Sequence, residues 1–417
     1  DKHQACPYCG FTAPKIKEYV TKEITHSALT TQKCIIKYRA RRYKCSCCGK
    51  TYYEFNPFVF KSQKISILTV HNILKDLKDF NETFTSVARR YHVSPTSVST
   101  IFDKHVDIGR NPLPEIINFD EVYAFKSEKS KYVCVLLDFK KQIPVDVLPN
   151  RKKEYLLNYF QKIPLEERKK VKYACSDMYE VYRDVVHKVF PEAKHLLDYF
   201  HLSQDFHKKM NEVRIKVMKG YKDDKASDEY YLLKKFNWLL FKNPEDEDKY
   251  GRLFDVERER KYNSHFKSYM NYYDLRKKLL EINNDLTICY SLKLELVDFY
   301  SKSTIDNAKV NLENLIRSCI DTNIEEMIKF SNNLINWKQE IINSFTIVGT
   351  EYKVEADKGQ VVVCNKKVNN AIIENRNKII KCIKNNANGY TNWSRFRNRV
   401  MYVLDPNATF SLEPREK

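Results

Sequence analysis

The chain has 417 residues, which at ~150 residues per domain suggests about three domains, and its 73 Lys+Arg outnumber 54 Asp+Glu for a net charge of +19. With 42% hydrophobic residues, 13% aromatics and only 8 glycines, it can build packed cores and is neither collagenous nor disordered. No apolar run approaches the ~20 residues of a membrane helix, and Asp1-Lys2-His3-Gln4 does not read as a secretory signal. Such a basic chain points first to a polyanion. The excess is loaded at the ends: residues 1–110 net +10, residues 111–200 net +2, residues 201–350 net +1 and residues 351–417 net +6. A charge kept only for solubility would be spread evenly, so both ends are expected to contact the polyanion.

Six of the 12 cysteines fall in the first 48 residues. Cys6-Pro7-Tyr8-Cys9-Gly10 and Cys45-Ser46-Cys47-Cys48-Gly49 are two CxxC-Gly knuckles. Two thiolates three residues apart in a tight turn can grip one Zn²⁺, with the glycine relaxing the turn. Cys6, Cys9, Cys45 and Cys48 are the expected ligands of one structural ion. Cys47 is an alternative to Cys45, and Cys34 is read as a packing residue. The later cysteines are scattered, as buried thiols of a reducing compartment are. Between the knuckles there is room for a β-hairpin, with Ile35–Tyr38 and Arg42–Lys44 as strand material. Arg39, Arg41, Arg42 and Lys44 interleave with tyrosines, which suits phosphate contacts.

Residues 64–106 have a helical pattern, and Phe84 to Val98 has the layout of a helix-turn-helix. Val87 and Ala88 precede a short turn at His92-Val93, and Ser94 caps a second helix with Pro95 in its first position. Thr96, Ser97 and Ser99 then lie at the leading end of a candidate recognition helix.

From residue 114 the texture changes. Ile116 to Asp120, Tyr132 to Asp138 and Ile143 to Leu148 read as strands, followed by a helix at 153–160. Val171 to Asp177 is a further strand, 181–190 a helix, and Lys194 to Asp198 a last strand. The order βββαβαβ is the pattern of an RNase H-like sheet. In it the first and fourth strands are neighbours, so Asp120 and Asp177 are expected to meet. Close carboxylates repel unless a cation intervenes, and Mg²⁺ takes hard oxygen ligands while leaving room for phosphate. Glu374, on a basic helix, is the candidate third acid, with an ion-pair partner as the competing reading. Residues 205–345 read as helices, a run too long for a loop. Trp238 and Trp337 are expected in its core, and Asn243–Asp248 as a polar turn.

Taken together these motifs resemble insertion-sequence transposases of the ISL-three family along nearly the full chain. The knuckles resemble that family's zinc finger, and residues 84–105 its helix-turn-helix. Phe119-Asp120-Glu121-Val122 and Ser176-Asp177-Met178-Tyr179 with Tyr182 resemble its acidic motifs, and Asp198-Tyr199-Phe200-His201 its D-x-F-H element. Glu374 through Arg399 resembles its final block, including Asn377, Lys381, Lys384, Gly389-Tyr390, Phe396, Arg397 and Arg399. The family's Glu-Gly is Glu374-Asn375 here, a change that costs a helix nothing.

The resemblance implies an α/β RNase H-like catalytic core interrupted by a large α-helical insertion, preceded by a zinc-binding module and a helix-turn-helix domain. The expected boundaries are 1–60, 61–110, 111–204, 205–350 and 351–417. Asp120, Asp177 and Glu374 would hold two Mg²⁺ (or Mn²⁺) ions in a DDE mechanism, with Asp198 and His201 accessory. Water would cleave the element's end at its terminal inverted repeat, and the freed 3′-hydroxyl would attack target DNA. Lys378, Lys381, Lys384 and Arg397 would join the N-terminal residues in holding double-stranded DNA. A homo-oligomer on DNA, a bacterial cytoplasmic, nucleoid-associated location and no membrane partner are expected. Two rivals are a catalytically idle, transposase-derived regulator and an RNase H-like nuclease without strand transfer. The first predicts loss of an acid, and all three are present; against the second, the zinc module and helix-turn-helix favour a sequence-reading enzyme over a shape-reading one.

Overall fold

The computed structural model describes residues 5–12, 14–27, 32–60, 63–125, 130–354 and 361–415. At the N-terminus β1 (Lys15–Thr25) pairs antiparallel with β2 (Ile35–Lys44), and β3 (Thr51–Tyr53) extends the sheet past β2. The hairpin expected within 35–44 is corrected: these residues form one strand, and its partner is β1. No turn-forming residue interrupts Arg39-Ala40-Arg41, and burial alternates from Ile35 to Ala40, with Ala40 inside and Arg39 outside. Then come α1 (Ile67–Asp76), α2 (Phe84–Arg90) and α3 (Pro95–His105), each opened by a hydroxyl cap: Ser66, Thr83 and Ser94 accept from the backbone N–H three residues on. Such a cap satisfies a helix-end donor that nothing else would.

The central part runs β4 (Ile116–Val122), β5 (Val133–Asp138), β6 (Pro144–Leu148), α4 (Lys153–Gln161), α5 (Leu165–Arg168), β7 (Tyr173–Ser176), α6 (Glu180–Val189) and β8 (Lys194–Leu197). The five strands form a mixed sheet in the order β6-β5-β4-β7-β8. β5 and β6 are antiparallel, whereas β4 is parallel to β7 and β7 to β8. β4 is buried at every residue but Glu121, as suits a strand covered on both faces.

Beyond the sheet lie α7 (Tyr199–Lys219), α8 (Asp228–Lys235), a 3₁₀ turn (Asn237–Phe241) and two small hairpins, β9 (Glu247–Asp248) with β10 (Gly251–Arg252) and β11 (Lys261–Asn263) with β12 (Ser268–Met270). Helices α9 (Tyr272–Glu281), α10 (Asn284–Lys302), α11 (Ala308–Asp321), α12 (Glu325–Asn336) and α13 (Lys338–Asn343) follow. The chain then continues through β13 (Ile347–Val354), β14 (Val361–Lys367), α14 (Ala371–Asn386) and α15 (Trp393–Leu404). Glu247 and Asp248, expected in a turn, are strand residues, and the helical run expected up to residue 345 closes with two helices broken at Trp337. Among the described residues no helix is long and apolar enough to cross a membrane.

Contacts divide the chain into two units, one of Asp1–Pro114, Asp120–Tyr159 and Ala371–Lys417, the other of Glu115–Phe119 and Phe160–Asn370. In the first, Val122, Phe125, Val133, Val135 and Val147 pack against Ile373, Ile380 and Ile383 of α14 and Phe396 and Val400 of α15. Helix α15 also serves α1–α3. Tyr402 joins their core and donates to the Leu74 carbonyl at 2.9 Å, and buried Arg399 donates to the carbonyls of Asp79 (2.8 Å) and Glu82 (2.7 Å). Hence the last segment of the chain helps hold the three-helix unit. In the second unit the helices enclose one apolar core that includes Trp337, with Trp238 half-buried against it. Phe119 packs there with Phe160, Tyr182 and Phe190 at ring separations of 5.8, 5.5 and 6.4 Å.

Candidate active site and cysteine cluster

The candidate acids lie at strand ends. In the parallel β4–β7 pairing Asn118 stands opposite Cys175, and Asp120 and Asp177 each come two residues later. Asp198 follows β8 in the same manner. Carboxyl ends of parallel strands are where α/β sheets present their functional groups. Asp120 and Glu374 belong to the first unit, and Asp177, Asp198 and His201 to the second.

In the first unit Asp120 is 9% exposed, and one carboxylate oxygen accepts from the Glu121 N–H at 2.7 Å. The other accepts from Nδ2 of Asn377 at 2.7 Å. Asn377 stands three residues after Glu374 on α14, so both project from one face of that helix. The bond therefore fixes the Glu374 helix to the Asp120 strand end. Asn377 is itself buried and its Oδ1 has no hydrogen-bond partner. An unpaired amide oxygen next to a buried carboxylate is a set of hard oxygen donors, so these residues fit a hard metal ion. Glu121 points the other way, as strand alternation requires, and is ion-paired with Arg151. Asn377 was visible only as a motif match and Arg151 not at all, because neither bond has a local sequence signature.

In the second unit the backbone around Asp177 is held by a buried relay. Ser176 Oγ donates to the Asp177 carbonyl at 2.8 Å, so the 2.9 Å contact with His195 Nε2 makes histidine the donor. His195 is thus neutral, with a bare Nδ1 that has no partner. Burial, followed by the positive charges of His187 and Arg183, pulls its pKa down to about 3. The sign follows from linkage. Above the ordinary value of 6.5 both states are neutral; below it the unfolded chain takes up a proton that the native state refuses, so stability falls as pH drops toward 3. Wild type should lose about 2 kcal/mol between pH 7 and 5 through this residue, and His195→Gln should show a flatter urea-midpoint profile. Parallel profiles would remove His195 from the account. Asp198 lies 3.9 Å from His201 Nε2, and its N–H bonds to the Ser176 carbonyl at 3.0 Å.

The four knuckle cysteines converge. Sγ atoms of Cys6 and Cys48 are 3.7 Å apart, those of Cys9 and Cys45 3.5 Å, and all four lie within 4.8 Å of one another. Four sulfurs at ~2.3 Å from one tetrahedral Zn²⁺ would be about 3.8 Å apart, so the cluster has the size of a metal site. Gly10 and Gly49 close the knuckles at φ 73 and 70, where a side chain would be strained. Cys45 Sγ accepts the Cys48 and Cys47 backbone N–H groups, and its pKa is lowered to about 7. At Cys9 the Phe11 backbone bond pulls the other way, but burial and the surrounding thiols push the pKa up to about 12. The ligand best prepared to ionise is thus Cys45. Cys47 is exposed and outside the cluster, and Cys34 is half-buried.

Of the candidate DNA contacts, Arg39 is exposed over the Tyr19 ring, Arg41 and Arg42 pair with Glu54 and Glu18, and Lys44 is exposed. Thr96 is exposed at the start of α3; Ser97 bonds the cap Ser94, and Ser99 bonds the Pro95 carbonyl. Lys378 and Lys381 are exposed on α14, and Lys384 lies 5.1 Å from the Tyr123 ring. Arg397 is engaged internally, with Asp146 at 2.7 Å and the Ile108 carbonyl at 2.7 Å.

Two comparisons with known proteins bear on these arrangements. A family model described as a transposase, of the ISL-three type, matches residues 117–356, a span that takes in Asp120, Asp177 and Asp198 and ends before Glu374. The transposase for insertion sequence element IS1001 of Bordetella parapertussis is 19% identical over 410 residues, covering 98% of this chain and 90% of that protein.

Proposed function

The chain belongs to the ISL-three family of transposases, and from that premise we propose that it binds terminal inverted repeats and cuts and joins DNA with a two-metal DDE site. Asp120, Asp177 and Glu374 are the metal-holding acids, on a core of RNase H-like strand order. Bound there, two Mg²⁺ or Mn²⁺ ions would activate the attacking oxygen and stabilise the departing one. Asn377 orients Asp120, and the buried relay of His195 and Ser176 fixes the backbone carrying Asp177. Asp198 and His201 act beside these acids. Exposed Lys378 and Lys381 neutralise phosphate near Glu374, while helices α2 and α3 form the helix-turn-helix that reads the repeat. The cysteine cluster holds one Zn²⁺ and stiffens the basic β1–β2 ribbon against DNA. The expected domains are those bounded at residues 60, 110, 204 and 350, and assembly on DNA is expected to be homo-oligomeric.

The observation that carries this reading is the Asn377–Asp120 bond, with the buried Asn377 Oδ1 left unpaired beside it, at a strand end inside a transposase sequence. Purified protein with Mg²⁺ and a duplex bearing the flanking inverted repeat should release a cut end and then a joined product. Chelation should stop both. Cleavage without joining would leave a nuclease, and binding without either would leave a regulator. Asn377→Leu should slow cleavage by about 10- to 100-fold, as loss of a partner orienting a metal ligand does, and should raise the Mg²⁺ concentration needed for half-maximal rate. An unchanged Mg²⁺ titration would reduce Asn377 to a packing residue.

A further inference from the structure

The helical insertion contains a cavity of about 680 Å³ that the catalytic reading does not use. It is framed by α8, the hairpins β9–β10 and β11–β12, and the start of α9. Its frame is fixed from within. Arg258, only 12% exposed at its side chain, pairs with Asp248 at 2.6 Å and donates to the Arg252 carbonyl at 3.0 Å. Buried Asn271 donates through Nδ2 to the carbonyls of Val256 and Arg258, both at 3.1 Å. The site is thus largely pre-formed, as ligand pockets usually are.

The rim is unusual for a soluble surface. Tyr250 and Tyr262 line the cavity yet are 67% and 58% exposed, and Tyr269, directly across the hairpin from Tyr262, is 68% exposed. Lys249, Arg258 and Lys261 surround the Tyr250 ring at 4.7, 5.9 and 5.8 Å. Contiguous aromatic surface left in water marks an interaction site, and its alternation with cations matches bases stacking on rings while phosphates meet lysines. Asp255 and Glu259 also line the cavity. Their charge keeps phosphate out of the interior but lets a carboxylate accept from the exocyclic amino group of a base, as acids do toward cytosine.

We propose that this cavity and its tyrosine rim bind an unpaired stretch of DNA strand, one amino-bearing base entering the cavity, its neighbours stacking on Tyr250 and Tyr262, and its phosphates resting on Lys249 and Lys261. The inference rests on the transposase reading only in that DNA is the substrate. Base-stacking on a tyrosine platform is insensitive to sequence and the cavity selects only for an amino group, so the site would serve strand ends exposed by cutting rather than repeat recognition.

The test is binding of the full zinc-loaded chain, without added Mg²⁺ or Mn²⁺, to a labelled single-stranded dC 12-mer, a dT 12-mer and a blunt duplex. Replacing both tyrosines (Tyr250→Ala with Tyr262→Ala) should weaken the single strands by about ten-fold per ring removed and leave the blunt duplex unchanged; the paired Tyr→Phe variant should bind as wild type. Lys249→Ala with Lys261→Ala should flatten the salt dependence for single strands by about 0.7 per lysine in the log–log slope. The dC strand should bind more tightly than the dT strand. Single-strand binding untouched by either the alanine or the lysine pair overturns the proposal, as does equal loss for blunt duplex, which would point to a folding defect or a protein-facing surface. Because no Mg²⁺ or Mn²⁺ is added to the binding assay, failure of end cleavage in a separate assay rejects the transposase chemistry without touching this result.

Discussion

Asp177→Asn is expected to abolish end cleavage and strand transfer, with rates falling by about a thousand-fold or more, since losing a metal-holding carboxylate removes several kcal/mol of transition-state stabilisation. The choice of position follows from the surroundings of each acid. Asp120 accepts a hydrogen bond from the Asn377 amide, so Asp120→Asn risks setting two NH₂ groups against each other and mixes a structural fault with a chemical one. Asp177 is half-buried at the end of β7, and Asn keeps its shape, so the thermal midpoint should hardly move. Glu374→Gln on α14 should behave likewise. Both variants should still bind inverted-repeat duplex with wild-type affinity, because the helices α2 and α3 proposed to read DNA are untouched. If Asp177→Asn and Glu374→Gln both cut at the wild-type rate, the assignment of the three acids is wrong.

The second large effect is expected at the cysteine cluster. The described part of the N-terminal module has a buried apolar cluster of only Cys6, Tyr43, Cys45 and Tyr52, too little to hold a fold by burial alone. A structural zinc ion supplies on the order of 10–16 kcal/mol of apparent binding energy that is also folding energy. The purified chain should therefore contain one zinc per molecule. Cys45→Ser should lose it, open the segment from Cys6 to Tyr53 to protease, and weaken inverted-repeat binding by about ten-fold or more through lost phosphate contacts. Cys47→Ser, at the exposed neighbour outside the cluster, should change none of these. Metal analysis that finds no zinc in freshly purified protein would sink this claim.

Some of the fold was legible because its signals are local. Ser94-Pro95 marks a helix start by cap chemistry alone, and the buried runs around Phe119 and Cys175 announce strands because a covered strand must be apolar on both faces. Strands exposed on both sides carry no such pattern. β1 has seven charged or polar residues among its eleven, and only Ile24 is buried, so it left no alternation to read. The hairpins β9–β12 are shorter than any periodicity can register. Likewise Arg397 reads as a basic contact in sequence, and its ion pair with Asp146 depends on a strand some 250 residues away.

The sequence by itself determined the chemistry: which acids stand at the ends of apolar runs, which thiols are spaced for one metal ion, where the positive charge lies, and to which family the motifs point. Those are properties of residue type and short spacing, and they do not depend on how the chain folds. Tertiary structure alone decided that Asn377 holds Asp120, that α15 braces the three N-terminal helices through Arg399 and Tyr402, and that tyrosines from two small hairpins share one cavity rim. Each of these is a contact between residues far apart in sequence, or on elements too short to leave a pattern. Such contacts are set by how elements pack, and packing is fixed by the whole chain rather than by any segment of it.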